Sequence, residues 1–126
     1  MTPEWLNESV KAFGRQMGLQ SLRLGERDAA GVRFENGYEL KLEFVRGYLE
    51  LLLTFPAESG GEGVRRLLSA AHPDARTGIK LRAGLFASSG RAFLHTRMAE
   101  REVAVDALER VFRELWKAAL SVGRTA

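Results

Sequence analysis

The chain contains no cysteine, which removes disulfides, thiolate metal sites and cysteine nucleophiles together. It has two histidines, His72 and His95, and no HxH, HxxxH or Asp/His spacing of the kind that holds a metal. No apolar run approaches the roughly 18 residues of a membrane span. The longest run of large aliphatic residues is Leu51-Leu52-Leu53, closed by Thr54. The opening MTPEWLNES is acidic and polar, without the basic-then-apolar pattern of a secretory signal. A soluble, cytoplasmic protein is expected, and the missing thiols fit a reducing compartment.

Catalytic groupings are equally scarce. His72 stands before Pro73 at an expected helix end, where a cation meets the negative pole of the dipole. His95 falls inside an expected strand and reads as a packing residue. The pairs Glu39/Glu43 and Glu100/Glu102 read as strand-surface charge and helix-entry capping. Gly60-Gly61-Glu62-Gly63 precedes a helix, but it lacks the lysine and hydroxyl of a phosphate loop. No serine sits in a G-x-S-x-G setting. No nucleophile, base and oxyanion donor assemble, so a non-enzyme is expected.

What is present is an ordinary globular composition. The 126 residues suit one domain over 1–126, 45% hydrophobic and 28% charged. The net charge is +3, from 19 basic and 16 acidic residues, and most of the basic ones are arginine spread along the chain. A dispersed charge fits a mixed surface better than a nucleic-acid patch.

Thr2 and Pro3 suit a helix start. Leu6, Val10, Phe13 and Met17 then form an apolar stripe that stops at Gly18. After a bridge anchored by Leu19, Leu22 and Leu24, three strands are expected. These are Val32–Phe34, Tyr38–Val45 and Tyr48–Phe55, joined at Asn36-Gly37 and Arg46-Gly47. Tyr48–Phe55 is apolar on both faces except at Glu50 and Thr54, so it is covered twice, by helices or by a partner. A short helix, Val64–His72, ends at Pro73. Strands Ile79–Leu85 and Ala92–Met98 form a second hairpin. A long helix over about Val103–Val122 buries Leu108, Val111, Phe112, Leu115, Ala119 and Val122. The order α-β-β-β-α-β-β-α with tight turns is an α+β fold, a twisted antiparallel sheet packed by helices.

Several phrases in this order match one family. Phe13-Gly14-Arg15-Gln16-Met17-Gly18-Leu19-Gln20-Ser21-Leu22 stands at the end of the first helix, and Val32-Arg33-Phe34-Glu35-Asn36-Gly37 at the first hairpin. Arg66-Leu67-Leu68-Ser69-Ala70-Ala71-His72 comes before Thr77-Gly78-Ile79-Lys80-Leu81, and the last helix carries Leu108, Val111, Phe112, Leu115, Trp116 and Leu120. In this the chain resembles the CesT/SycE-type (class I-like) type III secretion chaperones over nearly its whole length. The resemblance implies a non-catalytic bacterial cytoplasmic protein linked to virulence, without cofactor or metal. It would be a homodimer, or a heterodimer with a related chaperone. Its partner would be an extended N-terminal segment of a secreted effector or gatekeeper protein, which it keeps export-competent. Carried over residue by residue, the dimer interface would use Val64, Leu67, Leu68, Ala71, Ile79 and Leu81. The client groove would use Leu6, Val10, Phe13, Val32 and Phe34. The alternative is a basic adaptor or regulatory protein of the same fold, binding nucleic acid or another protein.

Overall fold

The computed structural model describes residues 1–19, 21–57, 65, 67, 69, 79–86 and 89–123. Helix α1 (Glu4–Gln16) comes first. Strands β1 (Ala29–Arg33), β2 (Glu39–Val45) and β3 (Tyr48–Pro56) follow, then β4 (Arg82–Phe86) and β5 (Arg91–Ala99). A 3-10 turn at Glu100–Glu102 leads into helix α2 (Val105–Gly123). The strands form one antiparallel sheet in the order β1-β2-β3-β5-β4. Of the expected middle helix Val64–His72, only Arg65, Leu67 and Ser69 are described. All three are helical, and Leu67 is buried. The remainder of that helix, Pro73, Thr77-Gly78 and the loop Gly60–Gly63 lie outside the described residues.

Period-two alternation decides the sheet's two faces. Leu40 and Leu42 of β2, Leu49, Leu51, Leu53 and Phe55 of β3, and Ala92, Leu94 and Met98 of β5 all point to one face and are buried. Leu6, Val10 and Phe13 of α1 cover that face, together with the expected α2 stripe from Leu108 to Val122. The aliphatic richness of β3 is therefore satisfied mostly by the protein's own helices. Only Leu52 of its leucines turns to the opposite face, where it is half-buried.

The turns follow from a few residues. Arg46 and Gly47 both have positive φ (53° and 83°), which makes the two-residue connection that matches strand twist. At the first hairpin Phe34 N–H donates to Tyr38 C=O, and Gly37 N–H to Phe34 C=O. The loop is therefore three residues long, with Gly37 at φ 88°.

Helix α1 stops through a Schellman motif. Gly18 has φ 77°, its N–H donates to Arg15 C=O at 3.2 Å, and Leu19 N–H donates to Gly14 C=O at 2.6 Å. The chain then doubles back so closely that a Cβ on Gly14 would lie 2.7 Å from Leu19 O and 2.8 Å from Leu22 Cβ. The two glycines thus do different jobs: one supplies a left-handed residue and the other supplies space. Asn7 locks the returning bridge. Its side chain donates to Leu24 C=O at 3.2 Å and accepts from Leu24 N–H at 2.9 Å.

Three expectations change in detail. Thr2 does not cap α1, whose N-cap is Pro3. Thr2 instead donates its N–H (2.8 Å) and its hydroxyl (2.5 Å) to Asp28 Oδ1. Strand β1 begins at Ala29 rather than Val32, because pairing with Glu43 and Leu42 extends it backward. Strand β4 begins at Arg82 rather than Ile79. The bonds from Thr2, with the N-terminal ammonium 3.6 Å away, hold the Asp28 carboxyl below its ordinary range.

Two outcomes are expected. In an exposed helix Gly→Ala gains about 1 kcal/mol, but overpacking costs about 1–3 kcal/mol. Two contacts under 3.0 Å, one of them to backbone, make the clash win at Gly14. Gly14→Ala should lower the urea midpoint, while Gly25→Ala, in open space, should not. The depressed Asp28 value means its tether stabilises above the unfolded carboxylate value of about 4 and is lost as pH falls through the lower folded value. The stability gap between wild type and Asp28→Asn should shrink as pH is taken from 5 toward 3. A gap constant over that range would remove the tether from the account.

Candidate functional site

The sheet has two edges, β1 and β4. On β1 the hydrogen-bond parity can be read directly. Phe34 N–H donates to Tyr38 C=O and Phe44 N–H to Asp28 C=O, so even-numbered β1 residues bond to β2. Gly31 and Arg33 therefore turn their N–H and C=O groups outward. Ala29 C=O also faces out and is taken by Gly25 N–H. A cavity of about 430 Å³ runs beside this edge, between Ala30–Arg33 and the returning bridge at Leu19, Leu22 and Arg23. Its mouth exposes unpaired backbone, which is the requirement for adding a strand.

A second cavity, about 300 Å³, opens at the end of β1 on the other side of the α1 terminus. Met17, Phe34, Phe112 and Trp116 line it, with Glu109 and Arg113 at its rim. The rings hold one another in place. Phe34 meets Trp116 edge-on at 4.9 Å between centroids, and Trp116 also packs on Tyr38 and Phe112. Such clusters add about 0.5–1.5 kcal/mol per pair beyond area burial. Burial pushes the Tyr38 phenol above its ordinary value, so it stays neutral beside this cluster. Arg113 pairs with Glu109 at 3.1 Å, which neutralises the rim and leaves the cavity to an apolar side chain.

The residues assigned to a client groove divide here. Val32 lines the cavity beside the edge, and Phe34 the aromatic one. Leu6, Val10 and Phe13 are fully buried under the sheet, so they form the floor and not the lining. Phe13 reaches the cavity only through Phe112, at 5.8 Å between centroids. Met17, counted with the buried stripe of α1, is instead exposed at the cavity mouth, because the helix has ended by Gln16. Phe112 and Trp116 were legible as parts of the last helix, but their closure onto Phe34 depends on how α2 crosses the sheet.

Of the residues assigned to a dimer interface, Leu67 is buried, and Ile79 and Leu81 are half-buried before β4. Val64, Leu68 and Ala71 lie outside the described residues, as does His72.

His95 lies on the sheet face away from α1 and α2, with Nε2 2.5 Å from Glu50 Oε2 on the adjacent strand. The shallow depression around the pair is lined by Ala29, Gly31, Lys41, Glu43 and Leu52, among others, and none of its lining residues carries a hydroxyl or thiol. The pair ties β5 to β3 across the two strands. Among the described residues no group of three His, Asp or Glu is placed to hold a metal, and no helix is long and apolar enough to cross a membrane.

No protein-family model and no curated protein matches the chain. Solved structures do. The fold is similar to a chain of the ExsC–ExsE complex, with a TM-score of 0.71 and 21% identity over 91% of this chain and 88% of that one. It is similar to a chain in the complex of the Yersinia pestis type III secretion chaperone SycH with a stable fragment of YscM2. There the TM-score is 0.68 and the identity 13%, over 93% and 98% of the two chains. The HopA1–SchA chaperone–effector complex follows at 0.65 and 20%, over 87% and 86%. The chain has the fold of type III secretion chaperones.

The parity of β1 makes a direct test. Gly31→Pro removes an N–H that no strand uses, and an edge strand tolerates proline there. Val32→Pro removes a ladder donor and should lose at least the ~1 kcal/mol of a hydrogen bond. Urea midpoints should separate the two variants, and equal destabilisation would mean that the outward edge is misassigned.

Proposed function

We propose that the chain works as a single domain over 1–126, as a non-catalytic secretion chaperone of the bacterial cytoplasm. It binds an extended segment of a type III secretion client, an effector or gatekeeper protein, and keeps that segment export-competent. The observation that carries this reading is the unpaired β1 edge flanked by two cavities, on a fold shared with chaperone complexes. An extended client lays its backbone against Gly31 and Arg33. Alternate client side chains then face opposite ways, and one enters the pocket formed by Phe34, Phe112 and Trp116. Main-chain bonds supply affinity that depends little on client sequence, and the aromatic pocket selects an apolar anchor.

Pairing with a second copy, or with a related chaperone, is assigned to the opposite end of the sheet. Ile79 and Leu81, with Val64, Leu68 and Ala71, supply that contact, and Leu67, buried within the chain's own core, supports it from beneath. The sheet order supports this division, because β1 and β4 are its two outer strands and cannot compete for one surface. An interface of standard size, about 1,600 Å², is expected.

Light scattering should give twice the 14.0 kDa chain mass, falling to one chain in Leu81→Asp. Co-purification from the host should return a secreted protein held through its N-terminal segment. Trp116→Ala and Gly31→Pro should each weaken that capture by ~10-fold or more, about 1.4 kcal/mol. Equal capture by both variants would sink the edge-and-pocket mode. A strictly monomeric chain that returns no secreted protein would sink the chaperone reading itself.

A further inference from the structure

The two strands of the second hairpin differ in length. Strand β5 runs on through Thr96–Ala99 beside β3, after its pairing with β4 has ended at Arg82↔His95. A cleft of about 530 Å³ fills this step. One wall is the segment Ile79–Lys80, and the other is α2 at Ala107, Arg110 and Val111. Four cations converge on the cleft, Lys80, Arg82, Arg97 and Arg110, against the single carboxylate of Glu102 and the His95 imidazole already held by Glu50.

All four cationic side chains are exposed, and none is ion-paired among the described residues. Elsewhere on the described surface, Lys11, Arg33 and Arg113 each have a carboxylate within 4 Å. Other described cations, such as Arg15 and Arg27, are also unpaired among the described residues but stand apart, and the cleft differs from them by bringing four unpaired cations together. Arg97 is held in position, its guanidinium 4.2 Å above the centre of the Tyr48 ring. Converging, unneutralised cations in a concave site raise the local potential and draw in an anion. Arginines add a planar fork that matches carboxylates in pairs.

We infer that this cleft receives an acidic segment, rich in Asp and Glu, of the bound polypeptide. The inference rests on the chaperone reading for the kind of partner, and on the cleft's own charge for the partner's chemistry. The length of the step in β5 suits a short extended stretch of chain. The cleft lies beside β5 and β4, across the sheet from the β1 edge, and of the described residues assigned to pairing only Ile79 lines it. One client could therefore use both only by running around the molecule. An acidic stretch would then be separated in sequence from the apolar anchor at Phe34 and Trp116.

The test is fluorescence anisotropy with a labelled short polyglutamate peptide. A polylysine peptide and a single-stranded oligonucleotide of matched charge serve as comparisons. Polyglutamate should bind, and should weaken as salt rises. Arg82→Gln/Arg110→Gln should weaken it by ~10-fold or more. Arg15→Gln/Arg27→Gln removes the same charge outside the cleft and should leave it nearly unchanged. Both arginine pairs are exposed, so each variant should keep the wild-type melting temperature. Equal loss in the two double variants, or tighter binding of the oligonucleotide than of polyglutamate, would overturn the inference. Trp116→Ala should leave polyglutamate binding intact, so a failed cleft and a failed chaperone reading give different patterns.

Discussion

Everything in this molecule hangs on strand β3. It is the middle strand of the sheet, and Leu49, Leu51, Leu53 and Phe55 all turn to the same side, where they are fully buried. Burying each such side chain contributes about 1.5–3 kcal/mol. A slip of one residue would send all four to the opposite face, so the register of β3 is strongly specified. That register sets β2 and β5, which set the two edge strands. The helices then have one apolar face to cover, and α1 and α2 cover it.

With the helical face used for the core, binding falls to what the core leaves over. These are the sheet edges and the places where elements end. One cavity follows the β1 edge, and two others sit at such endings. The aromatic pocket opens where α1 stops at Gly18 and β1 turns at Phe34. The basic cleft opens where β4 is shorter than β5. The Schellman stop connects core and surface. By reversing the chain over Gly14 it places Leu22 and Leu24 in the core, and it leaves Met17 and Leu19 beside the two cavities near β1.

The opposite sheet face is built on different terms. Glu50 ties to His95 there, and the Phe93 ring lies against Gly84, where a Cβ would come within 2.4 Å of it. Phe86 stacks on Phe93 at 5.2 Å. Cross-strand pairs of this kind stabilise the sheet on the face away from α1 and α2. Glu50 and His95 are 45 positions apart in sequence, so no local motif announces their meeting.

The sequence by itself made legible the order of the described elements, both hairpin turns near β2, most of the buried helical stripes and the α+β class. Each depends on local periodicity or on a residue's own backbone preference, as at Gly18, Gly37 and Gly47. It also carried the ordered phrases that resemble the secretion chaperones, because those phrases are local structural requirements such as the space at Gly14. Tertiary structure alone decided which of those apolar residues can touch a partner. Leu6, Val10 and Phe13 share the periodicity of a binding stripe, yet the sheet covers them completely, while Met17, Phe112 and Trp116 meet Phe34 at an opening. It also decided that dispersed arginines converge. Lys80 precedes β4, and Arg82, Arg97 and Arg110 lie on β4, β5 and α2, so their common field exists only once these elements are packed. Burial and charge convergence are properties of neighbours distant in sequence, and periodicity cannot report them.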